Sequence, residues 1–121
     1  MPRLELVRGD VVYVDLAGAV GAEKQGVRPC LVVQNNGGNR GSPLTIVAPI
    51  TDARQWKGYP QQVPLSATDL GLDGKDSVIE CGHLRAIDRD ARIAASATVW
   101  CHLTERIMDR VDAAIRASLA L

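Results

Sequence analysis

The 121-residue chain has no phenylalanine, and only two tryptophans and two tyrosines supply large rings. Its core must therefore come from Val, Leu, Ile and Ala, side chains that suit short strands packed into a compact barrel or sheet. Cysteine is also scarce. Cys30, Cys81 and Cys101 are an odd number at wide spacings, which argues against a disulfide framework. Two of them sit in apolar runs and are expected as buried, reduced thiols. No apolar run is long enough to cross a membrane, and no signal-peptide core follows the N-terminus. A cytoplasmic protein without a membrane partner is the expectation. Fourteen Lys and Arg balance fourteen Asp and Glu. A net charge of zero argues against a general duplex-coating role, which needs an overall positive field.

The charge is unevenly spread along what its length marks as one domain, residues 1–121. From residue 24 to 62, Lys24, Arg28, Arg40, Arg54 and Lys57 face the lone acid Asp52. Acids gather later, at Asp69, Asp73, Asp76, Glu80, Asp88 and Asp90. One basic region on a neutral protein suits a short piece of nucleic acid. Val11 to Leu16 reads as a first strand after the turn-like Arg8-Gly9-Asp10, and glycine-spaced Ala17 to Val27 as a mobile loop. Pro29 to Gln34 and Leu44 to Pro49 read as further strands, separated by a dense turn cluster from Asn35 to Pro43 that predicts a hairpin turn. Gln61 to Leu65, Ser77 to Glu80 and His83 to Ile87 complete the short strands. From Thr104 onward, Ile107, Met108, Val111, Ala114 and Ile115 recur at helical spacing against charged residues, which predicts an amphipathic helix capped by Thr104. The sum is an α+β domain: a small antiparallel, barrel-like sheet with a C-terminal amphipathic helix. Several strands are apolar on both faces, which points to a homodimer burying one of them.

The chemistry is concentrated in Gly21-Ala22-Glu23-Lys24-Gln25-Gly26-Val27-Arg28-Pro29 and in the run Thr45 to Ile50 that ends on Thr51. A flexible loop delivers a carboxylate and a guanidinium to the start of one strand, and a hydroxyl closes another. Acid, arginine fork and hydroxyl at strand edges suit a phosphodiester.

These residues resemble the MazF/PemK family of toxins from bacterial toxin–antitoxin pairs. The likeness is carried by Arg8-Gly9-Asp10 through Leu16, by Gly21 through Pro29, by Val47-Ala48-Pro49-Ile50-Thr51 and by Lys57-Gly58-Tyr59-Pro60, with weaker similarity through Leu84-Arg85-Ala86-Ile87-Asp88 and the final helix. The resemblance implies an SH3-like β-barrel with added helices, working as a homodimer. It implies cofactor-free, metal-independent cleavage of single-stranded RNA, mainly messenger RNA, inhibited by a MazE-like antitoxin. Its site residues fall on Glu23, Arg28 and Thr51. Two positions depart from the common pattern, Lys24 and His83, where glutamine is usual.

RNA carries its own nucleophile, the ribose 2′-hydroxyl. Arg28 suits the phosphate oxygens because its fork binds two at once; Thr51 can donate to the same oxygens. Glu23 is a candidate base, and His83 an alternative acid or base. Candidate RNA contacts are Lys24, Gln25, Asn39, Arg40, Ser42, Lys57, His83 and Arg85, with Trp56 and Tyr59 as stacking rings. Plainer readings exist: an Arg28–Glu23 surface pair, a strand-end Thr51, a half-buried His83, a Trp56 that plugs the core edge. Cys81-Gly82-His83 with Cys101-His102 could be drawn as a zinc site, but paired-ligand spacing is absent. The competing functions are a CcdB-like toxin that binds DNA gyrase without catalysis, and an inactive binding module.

Overall fold

The structure is a computed structural model and describes residues 4–71, 74–94 and 97–121. β1 (Asp10–Asp15) pairs antiparallel with β2 (Val27–Val32), Val11 lying opposite Leu31 and Asp15 opposite Val27. The loop between them turns on Gly18, Gly21 and Gly26, all at positive φ, a region that side chains with a Cβ rarely enter. β3 (Leu44–Asp52) is the long central strand and runs three residues past the expected end at Pro49. β4 (Gln62–Leu65) pairs with β5 (Ser77–Glu80). β5 and β6 (Arg85–Asp88) lie end to end along one edge of β3, and β7 (Cys101–His102) borders β1. The order is β4-β5-β3-β2-β1-β7, with β6 on β3. This curled antiparallel half-barrel with a C-terminal helix is the α+β architecture expected from the sequence.

Proline in a central strand costs a ladder bond, and the way β3 tolerates it is visible. The Ile46 carbonyl accepts from Val33 N and Gln34 N, so the backbone of position 46 faces β2. Alternation then turns position 49 to the opposite edge. There the partner chain leaves the ladder between Glu80 and Arg85, Cys81 N donating instead to Gln61 O. The missing N–H of Pro49 has no ladder partner to disappoint.

Among the described residues, three α-helices flank the sheet. α1 (Asn36–Gly41) stands where a hairpin turn was expected. Three glycines make it a poor helix intrinsically, but two anchors hold it. Asn35 accepts from Gly38 N, and buried Asn39 bonds Gln34 and the Thr45 hydroxyl. α2 (Arg89–Arg92), capped by Asp88, follows β6. α3 (Glu105–Leu119) begins at the expected Thr104 cap and buries Ile107, Met108, Val111 and Ala114. Arg8 fixes it to the sheet, donating to the Val33 carbonyl while pairing with Asp112.

Two apolar clusters occupy the two faces. Val11, Leu31, Ala48, Ile50 and Ile79 pack against α3, and Val12, Val14, Cys30, Val32, Val47 and Ile87 pack on the other side. Most of both faces of β1 and β2 is thus covered within the chain, while Tyr13 and Val27 remain exposed on them. Cys30 and Cys81 are buried, unbridged thiols as expected; Cys101 is half-buried. Among the described residues, no helix is long and apolar enough to cross a membrane.

Candidate active site

β2 and β3 pair with Leu31 opposite Ala48 and Cys30 opposite Pro49. The same register, carried two residues further, sets Arg28 across from Thr51, where the ladder has ended and the strands part. Both residues line one cleft of about 400 Å³, together with Tyr13, Gln25, Pro29, Asp52, Arg54, Lys75 and Trp100. Arg28 is half-buried, and its Nε donates to the Gln25 carbonyl at 2.8 Å. That bond ties the guanidinium to its own loop. No carboxylate pairs with it among the described residues, so the expected alternative of an Arg28–Glu23 surface pair is not what forms.

Thr51 is 5% exposed, and its Oγ1 is buried with no hydrogen-bond partner among the described residues. Leaving a buried hydroxyl unpaired costs about 1–3 kcal/mol. An arginine fork free of a carboxylate and an unused hydroxyl, lining one cleft, have the chemistry to hold an anion. Asp52 at the rim is spoken for: it accepts from Arg54 N and Nε and lies 3.2 Å from Lys75 Nζ. The Arg54 backbone bond, then the Lys75 bond, hold its carboxyl down at about 2.

A second cleft, of about 420 Å³, adjoins the loop and is lined by Glu23, Lys24, Pro49, His83 and Arg85. Glu23 therefore does not meet Arg28 and Thr51; its Oε1 accepts from Val20 N at 2.7 Å, within its own loop. Lys24 Nζ and His83 Nδ1 each stand 3.9 Å from Oε2 of the buried Glu80. The other Glu80 oxygen accepts from Gln62 Nε2, and Gln62 in turn bonds Gln55 O and Lys57 N. One carboxylate thus joins Lys24 to the segment carrying Trp56 and Lys57. Sequence reasoning passed over Glu80 because an acid at a strand end carries no motif. Arg85 donates to the Leu16 carbonyl at 3.3 Å and steadies the start of the loop.

The remaining candidates scatter. Trp56, Lys57 and Tyr59 are exposed; Trp56 lines a separate groove with Pro64, Leu65 and Arg110, and does not plug the core. Arg40 and Ser42 sit at the α1 end, Arg40 lining a cleft with Glu5 and Arg89 and Ser42 Oγ accepting from Leu44 N. Asn39 is a correction. It is 2% exposed and its amide is consumed by Gln34 and Thr45, so it holds α1 and does not reach a ligand. Two aromatic residues unremarked in the sequence do reach the cleft: Tyr13 and Trp100 stack with centroids 5.5 Å apart. His102 bonds Asp10 at 2.8 Å, far from any partnership with His83. Among the described residues, no three His, Cys, Asp or Glu side chains group as metal ligands.

Comparison with known proteins adds to this geometry. The model of the family described as PemK-like, MazF-like toxin of type II toxin-antitoxin system matches residues 7–119. The chain belongs to this toxin family. It is 46% identical over 114 residues to endoribonuclease EndoA of Bacillus subtilis (strain 168), covering 94% of each chain. The crystal structure of MazF from Deinococcus radiodurans superposes with a TM-score of 0.77 at 26% identity, covering 96% of this chain and 97% of that one. A MazE-MazF crystal structure from the same organism gives 0.72 at 26% identity, covering 97% of both. The family match sets the chain with MazF-like toxins and against the CcdB-like gyrase reading. Every candidate residue of both clefts falls within the matched span.

Proposed function

We propose that this toxin is a cytoplasmic, metal-independent endoribonuclease that cuts single-stranded RNA, chiefly messenger RNA, at the Arg28–Thr51 cleft. The observation that carries the reading is that Arg28, without a carboxylate partner, and Thr51, whose buried hydroxyl has no partner among the described residues, line one cleft. The ribose 2′-oxygen attacks the adjacent phosphorus while the P–O5′ bond breaks, leaving a 2′,3′-cyclic phosphate and a 5′-hydroxyl. The 2′-hydroxyl proton passes to a base, and the departing O5′ takes up another. Arg28 grips two non-bridging oxygens and stabilises the charge that builds on them. A turn about the Cα–Cβ bond of Thr51 exchanges its methyl for its hydroxyl and presents the donor to the same phosphate.

Arg28 is not the proton donor, because a guanidinium does not give up its proton in proteins. Proton transfer falls to the adjoining cleft, where Glu23 and His83 both stand; Glu23 reaches the phosphate when the glycine-spaced loop swings inward. Lys24, Gln25, Lys57 and Arg85 near the clefts, and Arg40, Ser42, Trp56 and Tyr59 further out, are the RNA contacts of this reading. The toxin works as a homodimer and is silenced by a MazE-like antitoxin, as the MazE-MazF structure from Deinococcus radiodurans suggests by analogy. The test is incubation with a long single-stranded RNA in EDTA, with chemical mapping of the new ends. Cuts bearing 2′,3′-cyclic phosphate are expected, reduced about a hundredfold or more in Arg28→Ala. Intact RNA, or undiminished cutting by Arg28→Ala, overturns the reading.

A further inference from the structure

We propose that the stacked Tyr13–Trp100 pair binds one unpaired nucleobase of the strand whose phosphate lies on Arg28 and Thr51. The inference rests on the RNA-cutting reading and adds to it the residues that hold the substrate's base. Tyr13 is flanked on β1 by the buried Val12 and Val14, yet is itself 49% exposed. Half of this large ring is left in solvent, where the fold gains least from an aromatic side chain. Its one aromatic neighbour is Trp100, at 5.5 Å and an interplanar angle of 20°. A nearly parallel pair is the start of a stack that a flat base can extend.

The platform is rigid before any ligand arrives. Trp100 N donates to Val11 O at 2.8 Å, β7 follows immediately, and Leu103 N donates to Gly9 O. The bond between His102 and Asp10 closes the same junction. Trp100 is therefore stitched to the strand that carries Tyr13. The platform also stands where a base must be. Tyr13 lies directly opposite Pro29 in the ladder, so it is a cross-strand neighbour of the residue next to Arg28. Both rings share the cleft of Arg28 and Thr51. The cleft also holds Arg54 and Lys75 against the single acid Asp52, a charge balance that favours a polyanion over an apolar peptide. Base–aromatic stacking tolerates any base, so this contact grips without dictating the recognised sequence.

The chain's only tryptophans are Trp56 and Trp100, so a Trp56→Phe background isolates one fluorophore. Titrating that protein with a short single-stranded RNA bearing a 2′-deoxy sugar at the cut position reports binding without cleavage. Quenching of Trp100 emission is expected, saturating at the same Kd as the strand. In the same background, with binding read by anisotropy of a labelled strand, Trp100→Ala weakens the Kd about five- to a hundredfold with kcat at saturating RNA little changed, and Trp100→Phe restores most of the affinity. An oligonucleotide with an abasic site at the stacked position binds Trp100→Ala and its parent equally. The quenching readout leaves Trp100 intact, so it stands even where Trp100→Ala fails to fold. Silence of Trp100 on a protein that still binds and cuts RNA overturns the base platform alone. Emission that follows protein concentration and ignores RNA also overturns it, marking a contact between copies. A protein that neither binds nor cuts overturns both readings.

Discussion

Replacing Thr51 by valine exchanges one oxygen for a methyl group at almost constant shape. In the folded chain the Thr51 hydroxyl is buried and finds no partner, whereas in the unfolded chain water satisfies it. Folding therefore strips hydration from this oxygen with nothing in return, at about 1–3 kcal/mol. Thr51→Val removes that cost, and the folded protein is expected to gain at least about 1 kcal/mol. At this chain length each such kcal/mol corresponds to a rise in Tm of about 4 °C. RNA cleavage moves the opposite way. Loss of one donor to the developing phosphorane typically lowers the rate about a hundred- to a thousandfold. The assay pairs a thermal melt with initial rates on a fluorescent RNA, in EDTA, for the parent, Thr51→Val and Thr51→Ser. Serine keeps the donor and should retain most of the rate. A lower Tm for the valine variant means that the hydroxyl had a partner after all; an unchanged rate removes it from the reaction. Either result refutes the reasoning.

Four further expectations follow from the structure. Asp52→Asn releases Arg54 and Lys75 from their shared carboxylate, so single-stranded RNA binds more tightly at low salt. The slope of log K against log salt should steepen by about 0.7 for each freed cation that meets a phosphate, measured by anisotropy titrations. In the parent, the Asp52 carboxyl is held down to about 2, so the stability from its bonds is complete above the usual carboxylate range and fades only as pH falls toward that value; an inflection near neutrality in urea midpoints of parent minus Asp52→Asn would contradict this. Glu80→Ala leaves Gln62 short of one acceptor and Lys24 without its counter-charge. It should lower stability by about 1–3 kcal/mol in urea melts and hasten tryptic nicking after Lys24 and Lys57; unchanged nicking would separate Glu80 from both segments. Burial pushes the Cys30 and Cys81 thiols up to about 12. Iodoacetamide at pH 8 should leave both unmodified in the folded protein and modify both in denaturant, with half-buried Cys101 reacting first, as followed by intact mass.

The parts of this fold legible in the sequence are those written in local pattern. β1, β2 and α3 follow from apolar runs bounded by turn residues, the glycine-spaced loop and the helical spacing after the Thr104 cap, and Arg28 and Thr51 stand at strand ends where a phosphate site was sought. What escaped depends on distant partners. α1 contradicts its own composition because Asn39 reaches back to Gln34 and forward to Thr45; the same burial removes Asn39 from the ligand contacts assigned to it. Trp100 meets Tyr13 only because a two-residue strand sets it beside β1, so the rings credited with stacking were the nearer Trp56 and Tyr59. Glu80 gains its importance from Gln62 at the start of β4 and Lys24 in the β1–β2 loop. No pattern of neighbours encodes an unpaired hydroxyl such as that of Thr51.

Pro49 has a consequence for how this protein can change. Its ring sits on the wall of the second cleft, beside His83, and its nitrogen offers no bond to the chain passing that edge. Residues 82–84 are therefore free of the β3 ladder, while the ladders on either side hold the frame. Length and chemistry there can be rewritten without breaking a rung of that ladder, and each revision reshapes the cleft. The proline makes the middle of a barrel its most editable part.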